Sequence, residues 1–353
     1  MQLIKIIIAL GVVGLVAVAQ PSEAGVRKSG LTGAAFLKIG VGARATSLGS
    51  AYTTVTGDVN QMFWNPAGTA LDQGASQVLL SHNDWIADLA HDAIGFTRDM
   101  GDLGTFGLGI VTMGLSDIAA DRDEVPQFVL EAGTFQPNDM ATANSYSYRD
   151  LAIGLTWSRH VTDRLDMGIT GKIVRQSIDG LSASAYAVDL GAIYRTEFYG
   201  TRIGARINNL GSDLKFYDIG APLPLMFSIG LATDLVDNRD AGTRITLLAD
   251  ATKPQDAEQL LFTAVEVELF DMLQLRSGYK YNYQGVLGSR GFQDQKVDEV
   301  DGTSYDVPRT EQGMTAGVGL ALGMGGYDAT VDYAFTSFGI LDSVHQFSLQ
   351  FSF

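Results

Sequence analysis

The chain has 353 residues, 46% of them hydrophobic and 18% charged, with 41 glycines, no cysteine and a net charge of −16. So apolar a composition is not that of a disordered chain, and the negative charge disfavours binding to nucleic-acid phosphate. Without thiols there are no disulfides, thiolate metal sites, cysteine nucleophiles or cysteine-linked lipid. The histidines are His82, His91, His160 and His345; no two stand four apart, so no helical metal pair exists.

At the N-terminus, Lys5 precedes an unbroken apolar run from Ile6 to Ala19, and Ser22-Glu23-Ala24 follows as a small-x-small site. This is the form of a secretory signal peptide, and the run is shorter than the roughly 20 residues of a spanning helix. Residues 1–24 are read as the signal peptide, with the mature chain starting at Gly25. Residues 25–75 show no strand period. They contain "MFWNPAG" (62–68), where three bulky apolar side chains meet an Asn-Pro breaker.

From residue 76 the period is two. Leu165, Met167, Ile169 and Ile173 alternate with Asp166, Thr170 and Lys172. Thr263, Val265, Val267 and Leu269 alternate with Ala264, Glu266 and Glu268. Leu273, Leu275, Tyr279 and Tyr281 alternate with Gln274, Arg276, Lys280 and Asn282. Tyr327, Ala329, Val331, Tyr333 and Phe335 alternate with Asp328, Thr330 and Asp332. Such segments predict fourteen strands, near 76–82, 90–99, 103–114, 147–160, 165–176, 185–197, 200–209, 224–236, 242–252, 259–270, 272–282, 312–323, 325–336 and 344–353. Strands of ~10 residues tilted ~45° cross the apolar band of an outer membrane, whereas sandwich strands are typically ~5–6 residues.

The connections alternate in length. Short turns such as "DMGD", "VTDR", "FYG", "FD" and "GMGG" answer longer links at 115–146, 177–184, 210–223 and 283–311. Tight turns on one rim and larger loops on the other are what an outer-membrane barrel requires. The chain stops on "HQFSLQFSF", with Phe347, Leu349, Phe351 and Phe353 on one face. Such an edge would aggregate in water; closure into a barrel removes it, and the Phe-terminated strand is similar to the assembly signal of bacterial outer-membrane barrels. The expectation is an all-β transmembrane antiparallel barrel over 76–353, in the bacterial outer membrane, with both termini periplasmic. Tyr327, Val331, Tyr333 and Phe335 are expected to face lipid, and Asp328 and Asp332 the lumen.

No catalytic set emerges. In "SHND" (81–84) successive side chains point oppositely along a strand, and "GLGIVTMG" (107–114) lacks the Lys and helix start of a phosphate loop. Asp294, Asp298, Glu299, Asp301 and Asp306 fit no EF-hand spacing and read as a solvated loop. The protein is expected to be non-enzymatic, with no cofactor and no metal.

Residues 33–71, "GAAFLKIGVGARATSLGSAYTTVTGDVNQMFWNPAGTAL", resemble the N-terminal signature of the PorV/PorQ family of FadL-like outer-membrane proteins. A second block, "NNLGSDLKF" (208–216) with "PLPLMFSIGLA" (222–232), is similar too. The resemblance implies that 25–75 folds back as a hatch in the lumen. Phe63 and Trp64 would bury against the inner wall, Asn65 would satisfy open backbone groups, and Pro66 with Gly68 would turn the chain toward the first strand. It also implies a place beside the type IX secretion system, with exported cargo and a large translocon barrel as partners. A FadL-like channel for hydrophobic small molecules is the alternative, and a purely structural barrel a third. Glu266, Glu268, Arg276, Lys280, Asn282, Asp328 and Asp332 would line a lumen suited to water or a polar plug. Loop 115–146 carries Val125, Phe128, Val129, Leu130 and Phe135, apolar groups fit for a partner or for a lid over the mouth.

Overall fold

The computed structural model describes residues 31–71, 74–119, 145–257, 259–282, 295–297, 304–306, 313–338 and 341–353. Fourteen antiparallel strands close into one barrel. They are β1 (Ser76–Asp84), β2 (Ala90–Asp99), β3 (Thr105–Ala119), β4 (Ser145–Thr162), β5 (Leu165–Ile178), β6 (Leu181–Arg195) and β7 (Arg202–Gly211). The remainder are β8 (Met226–Asn238), β9 (Thr243–Pro254), β10 (Leu260–Leu269), β11 (Leu273–Asn282), β12 (Met314–Met324), β13 (Tyr327–Ser337) and β14 (Ser343–Ser352). Every strand pairs with its sequence neighbours, and β14 closes on β1 with Gln77 opposite Ser352 and Asp84 opposite His345. No helix among the described residues is long and apolar enough to cross a membrane.

The wall is uneven. Strands β3 to β6 have 14 to 18 residues, whereas β14, β1 and β2 have 9 or 10. The link expected over 177–184 is in fact a two-residue turn. β5 and β6 pair up to Ile178–Leu181, with Asp179 and Gly180 both at positive φ, the twist a two-residue hairpin needs. The outward residues there, Arg175, Ser177, Ser182 and Ser184, are polar because the tall wall rises past the apolar band, so a strand end looks like a loop in sequence.

Alternation fixes the faces. Val331 is 48% exposed on the outside and Asp332 2% exposed on the inside. Aromatic residues ring the outer wall near the short-turn rim, among them Trp157, Phe198, Phe270, Tyr327 and Phe353, and again near the other rim at Tyr186, Phe227 and Tyr281. Two such girdles mark the interfaces of an outer-membrane barrel. Phe347, Phe351 and Phe353 are exposed along the outer face of β14.

The core of this protein is the space inside the wall. Residues 31–71 form short turns there: Ala35–Lys38, α1 (Ala43–Ser47), Val59–Phe63 and Pro66–Thr69. This inner segment enters at the long-loop rim, where the Gly33 amide donates to Pro222 O at 3.0 Å and the Thr32 hydroxyl to Asp256 at 2.6 Å. It leaves at the opposite rim, where the Leu71 amide donates to Thr105 at 3.0 Å. Even strand number puts Ser76 beside Phe353, as their backbone bonds show. Residue 31, however, stands at the other rim, because the inner segment adds one more crossing of the lumen.

Candidate functional site

The stretch "MFWNPAG" turns at Asn65 and Gly68, which short-range hydrogen bonds hold. Asn65 is extended, φ −122, as a residue before proline is driven to be. Its side chain accepts from the Ala67 amide at 3.2 Å and donates to Thr53 O at 2.7 Å. Gln61 accepts from the Asn65 amide at 3.1 Å and donates to Tyr52 O at 2.7 Å. Gly68 donates to Asn65 O, and its carbonyl accepts from Gly57 and Asp58. Trp64 is 7% exposed and donates to Val41 O at 2.9 Å. Tyr52 meets its ring edge-on at 5.8 Å, and the Arg206 guanidinium lies 5.1 Å from its centroid. Phe63 is partly buried among the same apolar groups.

The inner segment is bonded to the wall around most of its circumference. Thr69 bonds to Ser158 on β4 at 2.8 Å. Asn208 on β7 donates to Trp64 O at 2.8 Å. The Tyr52 and Thr53 amides donate to Asp250 on β9 at 2.9 and 2.8 Å. Thr315 on β12 donates to Ser47 O at 2.9 Å, and Thr46 to Gln346 on β14 at 2.6 Å. Gly278 on β11 faces the Leu48–Gly49 backbone so closely that a Cβ would overlap the Gly49 amide.

One ion-pair relay joins segment and wall. Arg44 forks onto Glu266 with both bonds at 3.0 Å and reaches Asp58 at 2.8 Å. Asp58 also accepts the Tyr52 hydroxyl at 2.6 Å and caps the turn through the Asn60 amide at 2.8 Å. From Glu266 the relay passes to Arg276 at 2.8 Å and on to Asp332 at 2.5 Å. Paired, fork-shaped contacts are the form in which buried charges are tolerated. Burial opposes the charge on Arg44, yet the Glu266 and Asp58 carboxylates hold it protonated well above its ordinary range. Burial, then the Asp58 carboxylate, pushes the Tyr52 phenol well up. Of this relay, the inward alternation in sequence marks Glu266, Arg276 and Asp332. Arg44 and Asp58 were missed, and their only signal is that each is a lone charge in a stretch of small residues.

Above Trp64, toward the long-loop rim, lies a cavity of about 260 Å³ lined by Phe63, Trp64, Trp85, Phe262 and Phe338, with Arg206 at its side. Asn83 Oδ1, Thr336 Oγ1 and Arg206 Nε are buried there without a hydrogen-bond partner among the described residues. The loop side chains Val125, Phe128, Val129, Leu130 and Phe135 lie outside the described residues, as do 1–24 and all the loop acids named above except Asp306. Among the described residues no group of acids and histidines could hold a metal. In "SHND" Ser81 points inward to Gln346, while His82 lies exposed on the outside.

The family model described as "Type IX secretion system protein PorV" matches residues 23–254. No curated protein matches. Similar solved structures include the Ralstonia pickettii toluene transporter TbuX, at 14% identity and a TM-score of 0.53, covering 89% of this chain and 97% of that one. The Pseudomonas putida toluene transporter TodX has 13% identity and a TM-score of 0.52, over 89% and 97%. A Pseudomonas aeruginosa FadL homologue has 12% identity and a TM-score of 0.54, over 89% and 98%. At such identities the likeness is one of fold: a FadL-type outer-membrane barrel.

Proposed function

Because the chain belongs to the PorV family of type IX secretion system proteins, we propose that it serves secretion through contacts with protein partners at its loops and rim, while the inner segment stays in place as a plug. The long-loop rim is the cell-surface side in this reading, and the partners are exported cargo or a translocon barrel. The observation that carries the stationary plug is the relay from Arg44 through Glu266 and Arg276 to Asp332. To clear the lumen, the segment would have to strip charges from one another away from bulk water, where an unpaired charge is costly. Binding then falls to loops on a rigid scaffold, and needs no reacting group. Phe347, Leu349, Phe351 and Phe353 serve as the assembly signal, and residues 1–24 as the export signal.

Deleting 123–136 tests this reading. Loss of cargo secretion with unchanged single-channel conductance supports it. Normal secretion with a newly open channel, or lost uptake of a hydrophobic solute, overturns it. A second reading, a FadL-like channel for small hydrophobic molecules, is favoured by the aromatic-lined cavity beside Trp64; there the inner segment must move.

A further inference from the structure

We propose that the upper outer wall of β14, β1 and β2 is a docking face for a second, membrane-embedded protein that presents lysine or arginine at that depth. The inference rests on the reading that this protein works through partners, and names one surface at which it does so. On most of the wall the outward series stays uncharged over nine residues from the short-turn rim. It runs from Leu165 to Ile173 on β5, Leu269 to Leu261 on β10, and Tyr327 to Phe335 on β13, about 19 Å of height at ~3.3 Å per residue and ~45° tilt. On β1 it ends at Leu80, and on β2 at Ile94, about 9–12 Å up by the same geometry.

Above those residues the outside becomes titratable. His82 Nδ1 lies 2.6 Å from Asp92 and Nε2 3.1 Å from Asp84, with the two carboxylates 50% and 69% exposed. His345 stands opposite Asp84 across the β14–β1 seam and bonds to the Tyr333 hydroxyl at 2.8 Å. Two carboxylates and one bridging imidazole leave the cluster acidic whichever protonation state the ring has. Hydrocarbon offers such a group neither hydrogen bonds nor countercharge, and glycolipid phosphates repel it. A second copy docked by two-fold symmetry would set acids against acids. Among the described strands the chain's own outward basic residues miss that depth: Arg98 and Arg159 lie within three residues of the short-turn rim, and Arg149, Arg175 and Lys253 at least ten residues above it. A cationic wall on a different protein supplies what the patch lacks, and opposite charge at a shared depth also sets register.

The test is photocrosslinking in intact cells, with the reactive residue at Leu80 or Ile94, and at Ile153 or Ile173 on the far wall for comparison. The expected result is a discrete adduct with another outer-membrane protein from positions 80 and 94 only. Its crosslinked peptide should carry Lys or Arg, and yield should fall at least tenfold in D84N/D92N barrels that still show heat-modifiable mobility. An adduct from all four positions, from none, with a second copy, or unaffected by D84N/D92N overturns the proposal. If the 123–136 deletion secretes normally while the Leu80 adduct persists, the secretion reading falls and the docking face stands. If that deletion blocks secretion and no adduct forms, the docking face falls alone.

Discussion

Replacing Arg44 with methionine isolates the relay that holds the inner segment to the wall. Arg44 reaches two carboxylates with three bonds of 2.8–3.0 Å, and its side chain is 24% exposed. In the wild type two guanidiniums, Arg44 and Arg276, face three carboxylates, Asp58, Glu266 and Asp332. R44M leaves one guanidinium among three. Removing one member of a buried pair costs ~3–5 kcal/mol, which by the tenfold-per-1.4 kcal/mol rule raises the opening equilibrium about 10²- to 10⁴-fold. Amide hydrogen exchange over residues 44–64, in detergent and under conditions that report opening equilibria, reads this directly. The double variant R44M/D58N restores the original excess of one carboxylate, and is expected to recover at least tenfold of the lost protection. Exchange in R44M within tenfold of wild type, or no recovery in the double variant, would refute the reasoning.

Trp64→Ala should cost ~3–5 kcal/mol through the cavity it leaves and raise single-channel conductance; unchanged conductance and stability would sink the plug. Val331→Arg should cost ~2–4 kcal/mol if that position lies near the midplane, with Thr330→Arg tolerated; equilibrium unfolding into denaturant gives the order, and the reverse order would mean the faces are exchanged. Gly278→Ala should displace the Leu48–Gly49 backbone at ~1–3 kcal/mol, seen as faster exchange over 43–52 in a barrel whose mobility stays heat-modifiable. Burial opposes ionisation of Asp256, but hydrogen bonds from Lys38 and Thr32 outweigh it and hold the carboxyl below its ordinary range. That tether therefore stabilises above the unfolded value near ~3.9 and is lost as pH falls through the lower folded value. Exchange over 31–38, corrected for intrinsic chemistry, should rise only in acid, and D256N should abolish that rise.

The barrel was legible because lipid imposes one strict rule per strand. Val331, Tyr333 and Phe335 alternate with Asp332 and Ala334, and that alternation survives in the structure. Where the wall leaves lipid the rule lapses, which is why polar Ser177 and Ser182 read as loop although they pair in the sheet. The inner segment was harder. Its 3-10 turns are held by bonds such as Asn65 to Thr53 and Arg44 to Glu266, the latter spanning more than two hundred residues. No local period encodes a partner that distant. The Asn-Pro break was visible, but what it packed against was not.

The central claim is that the inner segment stays in place while the protein works, and the absence of native cysteines makes it testable by a covalent lock. A Cβ at Gly33 would lie 3.4 Å from Ala221 Cβ, close to the ~3.5–4.5 Å of a disulfide, so G33C/A221C should pin the segment where it enters the lumen. Cargo secretion is then measured with the lock closed and with it reduced. Equal secretion in both states is the expected result. Secretion lost on oxidation and restored by reductant would contradict it, and would mean that the lumen opens.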